Sequence, residues 1–456
     1  MTEWPSGRET TGLRYMSASA HSGPLERGAR NVNTRGDHEV RPGEIAIGVI
    51  IGRTSEFFDF FCYAIASVIV FPALVFPYVD RLTGTLYSFA LFPLAFIARP
   101  IGTQIFMWVD REHGRGTKLT IALFLLGTST VSLAFLPGYA QVGAASAFLL
   151  AAFRIGQGLA LGGAWDGLAS LLALNAPPEK RGWYAMVPQL GAPLGLIVAS
   201  ALFAFFLANM EMIDFLSWGW RYPFFVAFAL NVVALFARLR IVVTPEYTEL
   251  FKSRELTPSR VTATVKAQWR NIVIGAFAPL ASFALFHMVT VFPLSWIALY
   301  TDEDIARFLG IEIIGAFFGL GSVVISGLLA DRIGRRSVLG YTAAAIAVFS
   351  GFAPQLLAGG DAGELAFMIG GFVLLGLAFG QSSGAVTNNF PKRARYTGAA
   401  LTSDLAWLFG AGFAPLAALV LASEFGLVAA GGYLLSGAIA TLVALGLNKE
   451  LARRLD

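Results

Sequence analysis

The sequence GLLADRIGRR, residues 327–336, lies between two long apolar segments at about 306–330 and 337–358. It combines one carboxylate, Asp331, with three arginines and a glycine near each end. A connection this short must turn tightly, which glycine permits, and its carboxylate can meet basic groups or the N-terminus of a facing helix. The stretch therefore predicts a charged turn between two helices. The alternative is ordinary enrichment of arginine beside a membrane.

Composition indicates what surrounds these helices. Of 456 residues, 56% are hydrophobic and only 14% are charged, whereas soluble globular proteins use roughly 25% charged residues. The mean hydropathy of +0.66 indicates that lipid surrounds most of the chain. These values argue against a soluble enzyme, a nucleic-acid-binding domain, a disordered chain and a single-span receptor with a large polar domain.

The cysteine and histidine content argues against metal and cofactor chemistry. Cys62 is the only cysteine, which excludes a disulfide framework and a thiolate metal cluster. The four histidines are far apart in the sequence and lack the spacing of metal ligands. We therefore expect no metal, no cofactor and no enzymatic activity.

Twelve apolar segments use nearly all the hydrophobic residues. Each is long enough to cross a bilayer as a helix, which needs about 20 residues. Glycine and proline inside them are tolerated, because neighbouring helices satisfy the freed backbone groups. The sequence thus predicts an all-α polytopic membrane protein with segments at about 45–72, 83–109, 119–137, 145–173, 183–207, 220–243, 270–300, 306–330, 337–358, 365–390, 397–421 and 427–447.

The positions of lysine and arginine predict the topology. With both termini in the cytoplasm, 27 of the 33 basic residues lie on the cytoplasmic side and only Arg81 and Arg307 lie on the other. Cytoplasmic loops carry this kind of excess. We expect a bacterial cytoplasmic (inner) membrane protein with both termini inside.

The longest internal loop divides the twelve segments into two sets of six. Asp110-Arg111 with Gly114-Arg115 lies at the same place in the first set as residues 331–336 in the second, which indicates a duplicated six-helix unit. The predicted organisation is a disordered cytoplasmic tail at 1–43, six-helix bundles at 44–243 and 270–447, a cytoplasmic linker loop at 244–269 and a cytoplasmic tail at 448–456.

The 327–336 stretch resembles the loop signature of the major facilitator superfamily. The first-half copy is degraded, because Phe106 replaces the expected glycine and the Gly-Arg pair is displaced by one residue. Five further stretches resemble the metabolite:proton symporters, a branch that carries organic acids and compatible solutes. They are Gly52 to Phe60, Ala98 to Gly102, Arg154 to Trp165, Trp218 to Phe224, and Phe390 to Gly398 leading into Gly410 and Pro415.

Several positions depart from the pattern of that branch. Glu56-Phe57-Phe58-Asp59 replaces the usual Glu-Trp-Tyr-Asp, and Arg53 stands where asparagine or threonine is usual. In the fourth segment a carboxylate is lost at Ala164 and another appears at Asp166. Asp404 occupies a position where the family tends to have asparagine. Substrate and stoichiometry therefore cannot be copied from the family.

Ionisable residues at membrane depth are costly and are candidates for functional sites. Asp59 and Glu56 lie three residues apart on one helical face, with Arg53 one turn earlier. If Arg53 neutralises Glu56, one spare carboxylate remains. We predict proton coupling at Asp59 and Glu56, with Asp59 as the main carrier.

The fourth segment supplies the main candidate for substrate binding. Arg154 resembles the family's helix 4 arginine and can offer two parallel hydrogen bonds to an anion or to a proton-carrying carboxylate, although a structural lock to backbone carbonyls is the alternative. Gln157, Tyr63 and His287 complete the predicted substrate site, while a lone histidine is more often a packing residue. Secondary candidates are Arg53, Arg99, Asp166, Glu312 and Asp404, with a structural role favoured for Arg99.

Together these features predict a transporter. The expected function is proton-coupled symport of a small organic acid anion by alternating access of two bundles. Alternatives are proton-coupled uptake of a zwitterionic compatible solute, an uncoupled uniporter or exchanger, and a solute sensor. The expected partners are the solute, protons and the lipid bilayer, with no nucleic acid and no obligate protein partner. The predicted cytoplasmic gate consists of Asp110, Arg111, Arg115, Gly327, Asp331, Arg332, Gly334, Arg335 and Arg336.

Overall fold

A computed structural model describes residues 42–164, 172, 176–243, 256–382 and 390–448. Within these ranges every regular element is a helix, which confirms the all-α prediction. The membrane segments are α1 Pro42–Ile69, α2 Arg81–His113, α3 Arg115–Ala134, α4 Ala145–Gly163, α5 Arg181–Asn209, α6 Gly219–Val242, α7 Leu280–Tyr300, α8 Ile305–Ile333, α9 Arg335–Leu357, α10 Gly360–Phe379, α11 Lys392–Phe425 and α12 Leu427–Leu447.

Eleven of these segments, α2 to α12, are apolar enough over 18 residues to cross a membrane. The exception is α1, because Arg53, Glu56 and Asp59 lie within its 28 residues. Its length still exceeds the bilayer core at about 1.5 Å per residue. The charges that weaken its hydropathy are therefore the ones that need a functional explanation. Shorter helices at Phe71–Val75, Tyr139–Val142, Met212–Ser217 and Val261–Phe277 connect or precede the segments.

Prolines interrupt several segments. The first helix of α2 ends at Leu91 and the second begins at Leu94, after Pro93. The segment α7 breaks at Val291, just before Pro293, and α11 contains a π turn at Leu408–Gly412 before Pro415. Proline removes a backbone donor and clashes with the preceding turn, so it interrupts a helix. These breaks lie in α2, α7 and α11, which contain residues of the candidate site.

Glycine lets α2 and α4 cross closely. A Cβ atom on Gly158 would lie 2.2 Å from the backbone oxygen of Ala95, and one on Gly162 would lie 2.3 Å from that of Arg99. Small residues at a crossing allow backbone contact between membrane helices. The contact holds the backbone of α2 at Ala95 and Arg99 directly against α4.

Among the described residues, the contacts between the two six-helix bundles include those of α5 with α8, of α2 with α11, and of the second half of α7 with α1 and α2. We call the end of the molecule that holds the turns at 110–115 and 331–336 the basic end, and the opposite end the distal end. At the distal end Asp80 caps α2 by accepting hydrogen bonds from Thr83, and those bonds hold the pKa of its carboxyl below the usual range.

Candidate functional site

A cavity lies between the two bundles and encloses about 1100 Å³ of empty space, open solvent at its mouth included. Its charged lining, among the described residues, comes from Arg53, Glu56, Arg99 and Arg238. Uncharged polar groups come from α5 and from the C-terminal bundle, and aromatic rings form much of the remaining wall. The uncharged lining includes Phe57, Phe60, Phe96, Gln189, Phe283, Phe379, Ser382, Thr402, Ser403 and Trp407.

Glu56 is held between two arginines. Its carboxylate lies 2.5 Å from Arg53 Nη1 and 2.6 Å from Arg238 Nη1. The sequence predicts the first pair, whereas Arg238 is one of the 27 basic residues that the charge pattern assigns to the cytoplasmic side. The structure instead places Arg238 inside α6, two turns after Asn231, with its side chain buried. An arginine two helical turns after Asn231 lies on the same face of α6, and this spacing is the sequence signal that could have identified Arg238 as a site residue.

Arg99 and Asp404 form an ion pair between the two bundles. Arg99 Nε lies 2.7 Å from Asp404 Oδ1, and Thr103 Oγ1 donates to Asp404 Oδ2 at 2.6 Å. Arg99 and Thr103 belong to α2, whereas Asp404 belongs to α11. The pair therefore connects the bundles beside the cavity.

Asp59 is a buried carboxyl with a different environment. Thr130 Oγ1 lies 2.6 and 2.7 Å from its two oxygens, and Gln157 Nε2 lies 3.5 Å from Oδ1. Among the described residues, no cation is within ion-pair distance of Asp59. Thr130 was not identified from the sequence, because a threonine in an apolar segment carries no distinguishing signal.

Arg154 is enclosed by aromatic rings. Its guanidinium carbon lies 4.0 Å from the centre of the Tyr63 ring and 4.7 Å from that of Phe92. It donates to Gln157 Oε1 at 3.1 Å and to the Phe92 carbonyl at 3.3 Å, while its Nη2 has no hydrogen-bond partner within the described part of the chain. Because Gln157 also donates to Thr130 at 2.9 Å, it connects Arg154 with the Asp59 pair.

The four predicted substrate-site residues lie together but behind the cavity wall. The His287 ring stacks on the Phe60 ring, with 5.4 Å between the ring centres, and it meets the Phe92 ring edge-on, with 5.2 Å between the centres. Its two ring nitrogens have no hydrogen-bond partner among the described residues. Phe60 also lies 5.9 Å from the Arg154 guanidinium. In this conformation Phe60 therefore separates the predicted cluster of Arg154, Gln157, Tyr63 and His287 from the cavity.

At the basic end, Asp331 contacts the first turn of α5. Its carboxylate accepts the backbone N–H groups of Gly182 at 2.6 Å and Trp183 at 3.1 Å. An anion at a helix N-terminus is stabilised by the exposed N–H groups and by the helix dipole. A Cβ on Gly182 would lie 2.6 Å from the side chain of Ala330, so glycine permits this approach. The contact joins the bundles.

The first-half turn makes a second contact between the bundles. Lys118 lies 3.0 Å from Asp110, and Tyr396 of α11 donates to Asp110 at 3.3 Å and accepts from Lys118 at 2.8 Å. Arg115 lies 3.7 Å from Asp110 and over the Tyr396 ring. Lys118 and Tyr396 were not among the predicted gate residues.

The other predicted gate residues lie around these two contacts. Arg111 and Arg115 donate to the backbone oxygens of Ser259 and Leu256, at 3.2 and 2.9 Å. Arg335 donates to Gln381, and Gly334 turns the chain with a φ of 83°. Gly327 packs against α5, whereas Arg332 is exposed and Arg336 is half-buried.

The last two secondary candidates differ in position. Glu312 of α8 is buried against Ser200 of α5, which donates to it at 2.9 Å. Asp166 lies outside the described residues, as do the tail before position 42, residues 244–255 of the predicted linker and the residues after 448.

Comparison with known proteins agrees with this architecture. Residues 57–415 match the family described as Major Facilitator Superfamily. The chain is 37% identical to the inner membrane metabolite transport protein YhjE of Escherichia coli, over 89% of this chain and 94% of that protein. It is 27% identical to a citrate-proton symporter of Klebsiella pneumoniae (88% and 91% covered) and 26% identical to a proline/betaine transporter of Salmonella typhimurium (89% and 83% covered).

Solved structures show the same fold. The crystal structure of a D-xylose-proton symporter superposes with a TM-score of 0.65 at 19% identity, covering 89% of this chain and 97% of that chain. The fold and the relatives are those of membrane transporters and not of enzymes. The predicted twelve-helix architecture is confirmed. The chain belongs to the major facilitator superfamily and resembles its metabolite:proton symporters.

Proposed function

We propose that this protein is a secondary active transporter that carries a small organic acid anion together with protons by alternating access. The observation that carries the proposal is the buried Asp59 carboxyl, which has no paired cation among the described residues and is linked through Gln157 to Arg154. Glu56, the other predicted proton carrier, is paired with two arginines. Asp59 is therefore the principal proton site in this proposal.

The coupling follows from the charges around Arg154. While Asp59 is ionised, its negative charge offsets the nearby guanidinium. When Asp59 takes up a proton, Arg154 loses that offset and attracts an anion more strongly. An anion and a proton then enter together. The planar guanidinium can hold both oxygens of a carboxylate, provided that the Phe60 ring moves aside.

The cavity lining supports an anionic substrate. Arg53, Arg99 and Arg238 line it, and their carboxylate partners are Glu56 and Asp404. A substrate carboxylate can compete with those side chains for the guanidinium groups. In the proposed path the cavity arginines meet the substrate first, and the cluster of Arg154, Gln157, Tyr63 and His287 binds it after Phe60 moves.

The orientation in the membrane is part of the proposal. Lysine and arginine are concentrated at the basic end, and such residues are enriched in cytoplasmic loops. We therefore place the basic end and both termini in the cytoplasm of a bacterial cell. The distal end then faces away from the cytoplasm, and the contacts of Asp331 and Asp110 form the cytoplasmic gate.

The aromatic wall of the cavity favours a second candidate substrate. The ring centres of Phe283 and Trp407 are 4.8 Å apart, and the Phe96 ring stacks on Trp407 with 5.9 Å between the centres. Ring faces bind quaternary ammonium groups, so a betaine-like zwitterion could place its cation there and its carboxylate on Arg99. An uncoupled exchanger is less favoured, because it would not need a buried titratable carboxyl at Asp59.

Ligand screening followed by flux measurement tests the proposal. Purified protein is heated with metabolite anions and betaines, since a ligand of the folded state raises the melting temperature. The best ligand is then offered to proteoliposomes under an inward proton gradient. We expect uphill uptake that collapses with a protonophore. If betaines alone stabilise the protein, the proposed substrate is a zwitterion and not an organic anion.

Asp59→Asn tests the proton site within the same assay. The variant should lose gradient-driven accumulation but retain exchange of labelled for unlabelled substrate, because the neutral amide resembles the protonated carboxyl and still permits binding and alternation. Asp214→Asn changes an exposed aspartate on the helix Met212–Ser217 and should behave like the wild type. Undiminished uphill uptake by Asp59→Asn would rule out the assignment.

A further inference from the structure

Glu312 is a second buried carboxyl, and it lies between the bundles near the distal end. It stands seven residues after the start of α8, about 10 Å along the helix. The side chain is 0% exposed. Ser200 Oγ of α5 donates to Oε2 at 2.9 Å, while Oε1 has no hydrogen-bond partner among the described residues. The bond connects the two bundles on the side of the molecule away from Asp331.

No described cation compensates Glu312. The second helix of α5, Gly191–Asn209, has no ionisable side chain, and the second helix of α7 contributes only Tyr300. Arg307 of α8 is bound to acids at the distal end, 2.7 Å from Glu303, 2.8 Å from Asp361 and 3.9 Å from Glu364. The remaining ionisable groups of the segments packed against α8 are at the basic end: Arg181, Tyr184, Arg335, Arg336 and Tyr341, with Asp331 and Arg332 of α8 itself.

The cost of burying charge makes the closed contact sensitive to protonation. A carboxylate removed from water without a partner cation is strongly disfavoured, whereas a protonated carboxyl needs only hydrogen bonds. The α5–α8 contact at Ser200 therefore forms most readily with neutral Glu312. When the distal side opens, water reaches the carboxyl and the proton can leave.

We propose that Glu312 is a second proton-binding site, which takes a proton from the distal side as that side closes and returns it to the same side on opening. An O–H bond forms on the carboxyl from hydronium and breaks again to water, so no net proton crosses the membrane at this site. Acidic medium on the distal side favours closure, and alkaline medium favours opening. The inference uses the alternating opening of the proposed function, but neither the substrate nor Asp59.

A substrate-free distance measurement tests this site. On a Cys62→Ala background, Asn209→Cys at the end of α5 and Asp302→Cys before α8 carry spin labels, because both positions are exposed. The distance distribution is recorded in nanodiscs between about pH 5 and about pH 9. With Glu312 intact, it should shift from short to long distances as the pH rises. Glu312→Gln should hold the short distances throughout, and Glu312→Asp should keep a shift.

Two further variants separate this site from its neighbours and from the proposed transport cycle. Glu364→Gln removes the buried acid of α10, and Asp59→Asn removes the proposed coupling site; both should retain the pH-dependent shift. The assignment is wrong if Glu312→Gln keeps the shift, or if either of the other variants abolishes it. The spin-labelled Cys62→Ala protein with intact Glu312 is also measured by itself. If its distances do not shift with pH, the assignment is wrong, even if Glu312→Gln does not fold.

Discussion

At the scale of single residues, glycine decides whether Arg238 can reach Glu56. A Cβ on Gly52 would lie 2.1 Å from Arg238 Nε, so the Arg238 side chain would have to move. Gly52→Ala must therefore displace the guanidinium from its carboxylate. The sequence places Gly52 in the family-like stretch of α1, and the structure supplies the reason for a glycine there.

Gly52→Ala should destabilise the protein by about 1–3 kcal/mol, the usual cost of overpacking a buried contact. Gly321→Ala is the matched control, because a Cβ at that helical position would meet nothing within 4 Å. Thermal unfolding in detergent measures the difference. Equal melting temperatures for the two variants would show that Arg238 moves away at little cost.

Arg154→Lys tests the proposed carboxylate contact. Lysine cannot reproduce the flat pair of donors, nor the simultaneous bonds to Gln157 and the Phe92 carbonyl. We expect binding of an organic acid to weaken by at least about 1.4 kcal/mol, which is tenfold in affinity. Arg81→Lys, at the distal end of α2, is the control for the chemical change alone. Binding and transport at the level of the wild type would remove Arg154 from the proposed substrate site.

At the scale of elements, the N-terminus of α5 is held by a carboxylate from the other bundle. Asp331 accepts two N–H groups there, and this bond exists only while the basic end is closed at that point. Asp331→Asn keeps the shape but removes the negative charge that the helix terminus favours. Such charge–dipole contacts contribute about 0.3–2 kcal/mol, enough to shift a balanced two-state equilibrium several-fold.

Asp331→Asn should therefore increase opening of the basic end. A Ser382→Cys reporter in the cavity lining, on the Cys62→Ala background, reports access through its rate of reaction with a membrane-impermeant maleimide. We expect faster labelling from the basic end, with Asp361→Asn at the distal end as the control. Unchanged labelling would count against a gating role for Asp331.

The twelve segments could be predicted because hydropathy is a local property, and nine of them begin and end within five residues of the expected range. The fourth ends earlier than expected, at Gly163, the seventh begins later, at Leu280, and the tenth is shifted to Gly360–Phe379. The site could be predicted only in part. Asp59, Gln157 and Arg154 do lie together. Arg154 and Gln157 are three residues apart on one helical face, and the cost of a charge in lipid marks Arg154 and, on α1, Asp59. Phe60 lies between these residues and the cavity because of the way α1 packs against α2 and α7. That packing joins distant parts of the chain, so a local sequence pattern does not predict it.

At the scale of the whole molecule, the described contacts between the bundles include charged or polar bonds at three levels. Asp331 and Asp110 make contacts at the basic end, Arg99 and Asp404 beside the cavity, and Glu312 towards the distal end. In the proposed alternating access, these bonds break and form in turn. The middle pair differs from the others, because a substrate carboxylate can replace Asp404 on Arg99. Substrate binding would then loosen the contact between the bundles directly.

Asp404→Asn separates these two effects. Removing the competing carboxylate should raise the affinity of Arg99 for an organic anion, while the lost link between the bundles should lower uphill transport. Thr103→Val is the matched control, because it removes the hydrogen bond to Asp404 at 2.6 Å and leaves the ion pair in place. We expect Asp404→Asn, but not Thr103→Val, to bind the anion several-fold more tightly in a substrate titration. If the affinity falls in Asp404→Asn, the aspartate positions Arg99 for the substrate and does not compete with it.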